Sequence, residues 1–459
     1  MFKLDPRGRL TTFHRFRRGG NLGASPPTVL AVGFMVLIGI GTLLLSLPVS
    51  GTTESLSLFA AFFTATASVT VTGLTIVDAR ELSLFGQWVS ILLVQIGGLG
   101  FVTFAVVSAI TLGQRMSLRQ QTLALEAFNQ TSTARLKDTA LSVLRITAVI
   151  ELSAMLLLFL WWWGSGLLPF PTALRYAVFH GIAAFNNAGY SLFDGSLAAF
   201  TSDSITIAVI SCTVILGGLG FPVIVDVLRK KRWPAVQPYA RLMIIGALLL
   251  NLIGFVLIWA MEGRNPATLG ALSWADQARA AWMQSVALRT AGFTTFDVNA
   301  MDDSTILLSA LFMFIGGGTM STAGGIKLGT FIVILAAVFA YITQRKEVVI
   351  MHRSLSPESI QKAFAVAVVT ILTTVVALLL LTFFEEKPFI SLFIEVVGAL
   401  STAGMSQSLT AELSRPSQCV LLVLMFMGRV GPLTLVYSLA IRNRGSSRVR
   451  YPEMDFQVG

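Results

Sequence analysis

The chain has 459 residues, of which 54% are hydrophobic and only 12% charged, with a mean hydropathy of +0.77 and a formal net charge of +10. Globular domains carry about a quarter charged residues, so this composition excludes an ordinary soluble protein; it also excludes disorder, whose mark is low hydrophobicity. The excess of 33 Lys and Arg over 23 Asp and Glu would suggest nucleic acid in a soluble chain, but here the bases lie in gaps between apolar runs. The chain reads as an all-α integral membrane protein.

Residues 1–28 form a basic cytoplasmic segment rather than a cleavable leader, because the apolar run that follows ends at Pro48 and not at a small-residue cleavage site. A first unit at residues 29–114 contains a span at Val29–Leu47, a short apolar stretch at Leu58–Ser68, the motif Val71-Thr72-Gly73-Leu74 and a span at Leu82–Gln114. A second, at 140–230, repeats the order: Ile146–Leu168 with Glu151 inside it, Leu174–Phe185, Asn187-Ala188-Gly189-Tyr190, and Ser204–Val225. A third, at 238–344, has Leu242–Met261, Ala278–Leu288, Thr290-Ala291-Gly292-Phe293, and then 41 residues, Ser304–Gln344, with Lys327 as the one charge. As a single helix that last run would reach about 60 Å, twice the hydrocarbon thickness, so it must break, and Gly316–Gly325 is the place. Glycine-rich backbone at that depth is tolerated where protein or a water cavity covers it, as a kink or as a gate loop in a pore. A fourth unit, at 360–442, has Ala363–Phe384, Ile390–Leu400, Thr402-Ala403-Gly404-Met405 and Pro416–Ile441 with Arg429 inside it; residues 443–459 form a cytoplasmic tail.

The stretches before each motif are too short to span and fit helices that enter the membrane and return. Gly98, Gly218, Gly317 and Gly428 follow the motif glycines by 25, 29, 25 and 24 residues. Two spans per unit leave all four units pointing the same way, which predicts eight full transmembrane helices and four re-entrant helices around a pseudo-four-fold central pore. Four like-oriented loops on one axis build a ring of carbonyls able to replace the hydration shell of a monovalent cation. Gaps on one side of the membrane hold 23 Lys and Arg and the alternating gaps hold 6, which puts both termini in the cytoplasm.

Asp78, Asp194 and Asp297 each lie five positions beyond their motif glycine, while the fourth unit has Leu409 there and Glu412 beyond. Together they would concentrate cations at an outer mouth; separately each would cap its following segment. Arg429 beside Gly428 and Gly431-Pro432 is expensive at mid-membrane depth. It could repel cations below the ring, bond the loop at 316–325, or pair with Glu395. Asn251 fits an interhelical hydrogen bond. His14, His180 and His352 are scattered, and no hydrolase or metalloprotease motif occurs, so catalysis is not indicated. Cys212 and Cys419 offer neither a disulfide framework nor metal-ligand spacing.

The runs Thr70-Val71-Thr72-Gly73-Leu74, Asn186-Asn187-Ala188-Gly189-Tyr190, Arg289-Thr290-Ala291-Gly292-Phe293, Gly316-Gly317-Gly318-Thr319 with Gly324-Gly325-Ile326-Lys327, and Met427-Gly428-Arg429-Val430-Gly431-Pro432 resemble the Trk/Ktr/HKT superfamily of potassium transporters. The match extends from about residue 28 to the end, and eight spans fit the membrane subunit (KtrB) of the Ktr branch rather than the longer Trk type. The resemblance implies potassium uptake across a prokaryotic plasma (inner) membrane. It implies a potassium-binding selectivity filter at Val71, Thr72, Gly73, Asn187, Ala188, Gly189, Thr290, Ala291, Gly292, Thr402, Ala403 and Gly404, with glycine in all four filter positions as the mark of potassium preference. Gly316, Gly317, Gly318, Thr319, Gly324 and Gly325 become an intramembrane gate opposed by Arg429. It further implies a homodimer with one pore per protomer and the C-terminal tail, here Tyr451–Gly459, at the dimer interface. The implied partner is a cytosolic RCK-type (KtrA-like) nucleotide-binding ring, often with a dependence on sodium. Nucleotide would bind that partner, since this chain has no G-x-G-x-x-G before a predicted strand.

Overall fold

The computed structural model describes residues 26–52, 55–100 and 133–431. The expectations for residues 1–25, for 101–132 and for everything after 431, including the tail at 443–459, lie outside the described residues. The helices in chain order are α1 (Pro26–Leu45), α2 (Leu58–Val69), α3 (Leu84–Leu99), α4 (Thr133–Gly164), α5 (Phe170–Asn186), α6 (Ser204–Leu219) and α7 (Phe221–Lys230). They continue with α8 (Pro238–Glu262), α9 (Trp274–Ala287), α10 (Asp303–Phe314), α11 (Leu328–Ile342), α12 (Pro357–Phe384), α13 (Phe389–Leu400) and α14 (Arg415–Val430). Between α11 and α12 a small antiparallel hairpin pairs β1 (Val349–Ile350) with β2 (Arg353–Ser354), an element the all-helical expectation did not contain.

Among the described residues three uninterrupted helical stretches are long and apolar enough to cross a bilayer: Ala140–Gly164 within α4, α8 and α12. Only 22–28% of the residues in their most apolar windows are buried, so their Leu and Val side chains face outward, as Leu152 at 63% and Leu372 at 58% exposure illustrate. Apolar faces that large need a membrane to cover them. The short helices α2, α5, α9 and α13 have the opposite character. Phe63, Phe185, Met283 and Val396 are fully buried, and the interior is built around these four helices.

Local chemistry sets the ends of the short helices. Ser57 and Ser273 accept hydrogen bonds from Ala60 N (3.2 Å) and Asp276 N (3.3 Å), satisfying donors that the first turn leaves free. Pro171 in the first turn of α5 has no donor to lose there. Because of these starts α5 and α9 begin at Phe170 and Trp274, four residues ahead of the apolar stretches expected at Leu174 and Ala278.

The described part of the second apolar runs is where the structure departs most from expectation. Ser204–Val225, expected as one span, breaks at Gly220, and α6 and α7 meet at 99°. Gly220 has φ +95°, which a residue with a Cβ rarely adopts, and Pro222 starts the next helix. The same stop ends α3 at Gly100 (φ +81°) and α14 at Gly431 (φ +95°). Only the third-unit break, between Phe314 and Leu328, lies in the stretch where length alone demanded one. One buried apolar cluster draws Ile91 and Val94 from α3, Leu158 from α4, Ala183 from α5, Ile210 from α6 and Val286 from α9. The helices therefore share a continuous interior.

Candidate functional site

Each short helix ends in a turn with the same backbone. The residue two before the glycine lies in the left-handed region: Val71 (φ 58°), Asn187 (φ 58°), Thr290 (φ 78°) and Thr402 (φ 52°). The glycines follow at positive φ as well, Gly73 at 83°, Gly189 at 69°, Gly292 at 66° and Gly404 at 71°. For β-branched Val71, Thr290 and Thr402 this is a true outlier, of a kind that costs about 1–3 kcal/mol and persists where surroundings hold it for a purpose.

The turns close on one another. A Cβ added to Gly73 would lie 2.1 Å from the carbonyl oxygen of Ala188, and one on Gly189 would lie 2.9 Å from that of Ala291. One on Gly292 would lie 2.5 Å from Ala403 O, and one on Gly404 would lie 1.9 Å from Thr72 O. The order first to second, second to third, third to fourth and fourth back to first is a ring of four carbonyls around one centre. Thr72, Ala188, Ala291 and Ala403 are fully buried. The C-terminal ends of α2, α5, α9 and α13 point their partial negative charge toward the same centre. The ring has room for nothing larger than hydrogen at the glycines, and its electrostatics favour a small cation.

Beneath the ring, on the side where the short helices end, residues 315–327 cross from one unit to the others. Gly316 N donates to Ile326 O (2.9 Å), and Leu328 N to Gly317 O (2.9 Å), which close the loop on itself. Gly318 N donates to Gly218 O (2.8 Å), and Thr322 Oγ1 donates to Phe185 O at the end of α5 (2.9 Å). A Cβ on Gly324 would strike Thr402 Oγ1 at 1.9 Å, so the loop lies directly against the fourth turn. Arg429 holds it from the other side. Its Nη1 donates to Thr322 O (2.5 Å), and its Nη2 donates to Gly97 O (2.6 Å) and Gly98 O (2.8 Å) at the C-terminus of α3. Cations suit that end of a helix. Arg429 thus bonds the loop, and Glu395 is not its partner: that carboxylate accepts from Ser406 Oγ and from Thr410 Oγ1 (2.6 Å). Lys327 Nζ donates back to Ala323 O (2.5 Å) within the loop.

On the far side of the ring the three aspartates are not equivalent. Arg80 forks onto Asp78 Oδ2 through Nε (3.0 Å) and Nη2 (2.7 Å) and reaches Asp194 Oδ1 through Nη1 (2.7 Å), so two of them are tied by one base. Burial raises the Asp78 carboxyl, but the Arg80 hydrogen bonds and charge outweigh it and leave it below its ordinary value. Asp297 caps its own turn, accepting from Asn299 N (2.9 Å) and Nδ2 (3.0 Å).

Two further groups carry weight that the sequence reading did not give them. Glu151 of α4 accepts from Gln95 Nε2 (3.0 Å) and Asn186 Nδ2 (3.3 Å), which ties α3, α4 and α5 together just behind the second turn. Arg289, three before Gly292, lies only 8% exposed and bonds Asn251 Oδ1 (3.3 Å) and Gly316 O (3.3 Å). Its signal was present in the sequence: the same position holds Thr70, Asn186 and Ser401 in the other three turns, and only here a charge. Among the described residues no cluster of His, Cys, Asp and Glu is arranged to hold a metal.

A family model described as TrkH, cation transport protein, matches residues 24–448. The chain is 41% identical over 441 residues to the Ktr system potassium uptake protein B of Bacillus subtilis, covering 95% of this chain and 97% of that one. It is 38% identical to the Ktr system potassium uptake protein B of Vibrio alginolyticus, covering 93% of each. It is 31% identical to the potassium/sodium uptake protein NtpJ of Enterococcus hirae, covering 95% and 97%. The fold is similar to that in the crystal structure of the potassium transporter TrkH from Vibrio parahaemolyticus, with a TM-score of 0.71 and 21% identity over 93% of this chain and 86% of that one.

Proposed function

From the premise that the chain belongs to the TrkH family of cation transport proteins, we propose that it takes up potassium through the ring of four turns, under control of the loop at 316–325. The family is one of transporters, so the chain is a membrane transport protein and not an enzyme. The relatives in B. subtilis and V. alginolyticus are potassium uptake proteins of Ktr systems, and 41% and 38% identity over nearly the whole chain support the same ion here.

The observation that carries the reading is the closed carbonyl ring, built from eight residues at positive φ in four matching turns. An ion entering it exchanges water for fixed backbone oxygens, and selectivity follows from the number and field of those oxygens. The filter is then Val71–Gly73, Asn187–Gly189, Thr290–Gly292 and Thr402–Gly404. The four units at 29–114, 140–230, 238–344 and 360–442 are parallel repeats around that axis, two membrane crossings each, with the second crossing of the second unit bent at Gly220. The loop with Gly316, Gly317, Gly318, Thr319, Gly324 and Gly325 closes the path below the filter, and Arg429 keeps it there while adding a positive charge against cation passage. The protein works as a homodimer in the inner membrane with both termini in the cytoplasm, where an RCK-type nucleotide-binding ring releases the loop. Sodium is the second ion to consider, on the likeness to a potassium/sodium uptake protein.

Rubidium uptake in cells stripped of their own potassium systems, with the regulatory ring co-expressed, tests the reading. Saturable uptake inhibited by potassium far better than by sodium is expected. Gly73→Ser, whose Cβ would meet Ala188 O, should lose that preference at least tenfold. No uptake with the ring present rules out the potassium assignment.

A further inference from the structure

Arg289 is a buried guanidinium with no described carboxylate in ion-pair range. Its Nη1 donates to Ala247 O (3.2 Å) and Asn251 Oδ1 (3.3 Å) on α8, and its Nη2 to Gly316 O (3.3 Å); its Nε is buried without an acceptor. A buried charge satisfied by neutral oxygens alone is costly to keep, and in a membrane-embedded interior it is by default functional. Its placement says what it does. The next residue, Thr290, is the left-handed residue of the third turn, at φ 78°, with a side-chain hydroxyl that has no partner. Gly316, at the other end of the guanidinium, is the first residue of the loop. One side chain therefore runs from the backbone of a filter turn to the hinge of the loop.

The two arginines divide the loop between them. Arg429, anchored on Gly97 O and Gly98 O of α3, grips the far part of the loop with one bond of 2.5 Å to Thr322 O, while Arg289, anchored on Ala247 O and Asn251 Oδ1 of α8, touches the near end with one bond of 3.3 Å to Gly316 O. A close grip suits a latch, and a longer contact suits a follower that shifts when the loop shifts. We infer that Arg289 is a positioning residue that couples the loop to the third turn, so that loop displacement and ion preference change together. This rests on reading the loop as a gate. When Gly316 moves away, the guanidinium loses one of three acceptors, re-seats toward α8, and draws Thr290 with it. The ring then changes at one turn of four.

The experiment compares rubidium and sodium uptake by the full chain with its regulatory ring for Arg289→Gln, for deletion of residues 316–325, and for both together. Deletion alone should raise rubidium flux and raise the sodium-to-rubidium ratio at least threefold. Arg289→Gln should raise that ratio by a similar factor with the loop present and add nothing once the loop is gone, the non-additivity expected of residues acting as one unit. A residue that only supports the fold would worsen the ratio equally in both backgrounds, and that result overturns the inference. So does an unchanged ratio in Arg289→Gln while loop deletion still raises flux; unchanged flux on deletion would instead remove the gate itself. Asn251→Leu, which removes one acceptor and keeps the charge, gives a second reading if Arg289→Gln does not accumulate. A ratio raised in the same direction supports the coupling, and a wild-type ratio overturns it.

Discussion

At the proposed outer mouth a single side chain changes the sense of two others. Asp78 and Asp194 sit at matching places after the first and second turns, and Arg80 spans the seam between them. Because the folded Asp78 carboxyl lies below its ordinary value, the bridge is intact at neutral pH and is lost only as pH falls through that lowered value. Two carboxylates and one guanidinium leave one net negative charge where the aspartates alone would leave two. A unit charge at about 10 Å in water is worth about 0.4 kcal/mol, roughly a factor of two in local cation concentration. Arg80→Gln should therefore lower the half-saturating external rubidium about twofold at low ionic strength, and the gain should shrink as salt is added. Changing Asp78, Asp194 and Asp297 together to Asn should shift half-saturation the other way. Equal curves for all variants would mean that the mouth does not gather ions. The aspartates were readable from their common spacing. Arg80 was not, because a base two residues past an acid has no periodic signature and its second partner, Asp194, is 114 residues away.

At the scale of elements, the bend between α6 and α7 does for the loop what a doorstop does for a door. Gly220 turns the chain at φ +95°, and a Cβ there would lie 2.5 Å from Thr319 O, so its lack of a side chain serves both the bend and the seat of the loop. Phe221 N, the first donor after the bend, bonds Met320 O (3.2 Å). Gly220→Ala should strain the turn and push Thr319 outward, raising rubidium flux without the regulatory ring at least twofold and, because Gly316 shifts with the loop, raising the sodium-to-rubidium ratio with it. Flux that stays at the wild-type level, with normal protein amounts, would detach the bend from gating. The sequence revealed the short helices well, since their ends coincide with glycine motifs in register with the apolar runs. It concealed the bend at Gly220 and the helix ends at Gly100 and Gly431. Hydropathy counts side chains and does not register φ, and a glycine within an apolar run is as often a packing contact between helices as a turn. In the third unit, 41 uncharged or nearly uncharged residues exceeded what one crossing can hold, so length gave away the break that composition hid.

For the whole molecule the distribution of bases makes the firmest statement. The gap at 229–241 holds Arg229, Lys230, Lys231, Arg232 and Arg241, whereas the gap from 263 to 303 holds three bases, of which Arg289 is buried. With Cys212 and Cys419 replaced by Ser, a cysteine at exposed Ala267 should react with a membrane-impermeant maleimide in intact cells. One at exposed Trp233 should react only after permeabilisation. The reverse pattern would invert the proposed direction of every turn. The ring itself has a consequence for inheritance. Its four quarters lie in one reading frame and not in four copies of one subunit, so a codon change alters a single quadrant. In a homotetramer any arginine would appear four times around the axis and its charges would repel. Counted back two from the glycines that stop α3, α6 and α14, Arg429 stands where the first and second units have Gly98 and Gly218, and selection was free to place a guanidinium in one quadrant alone at that level of the proposed pathway.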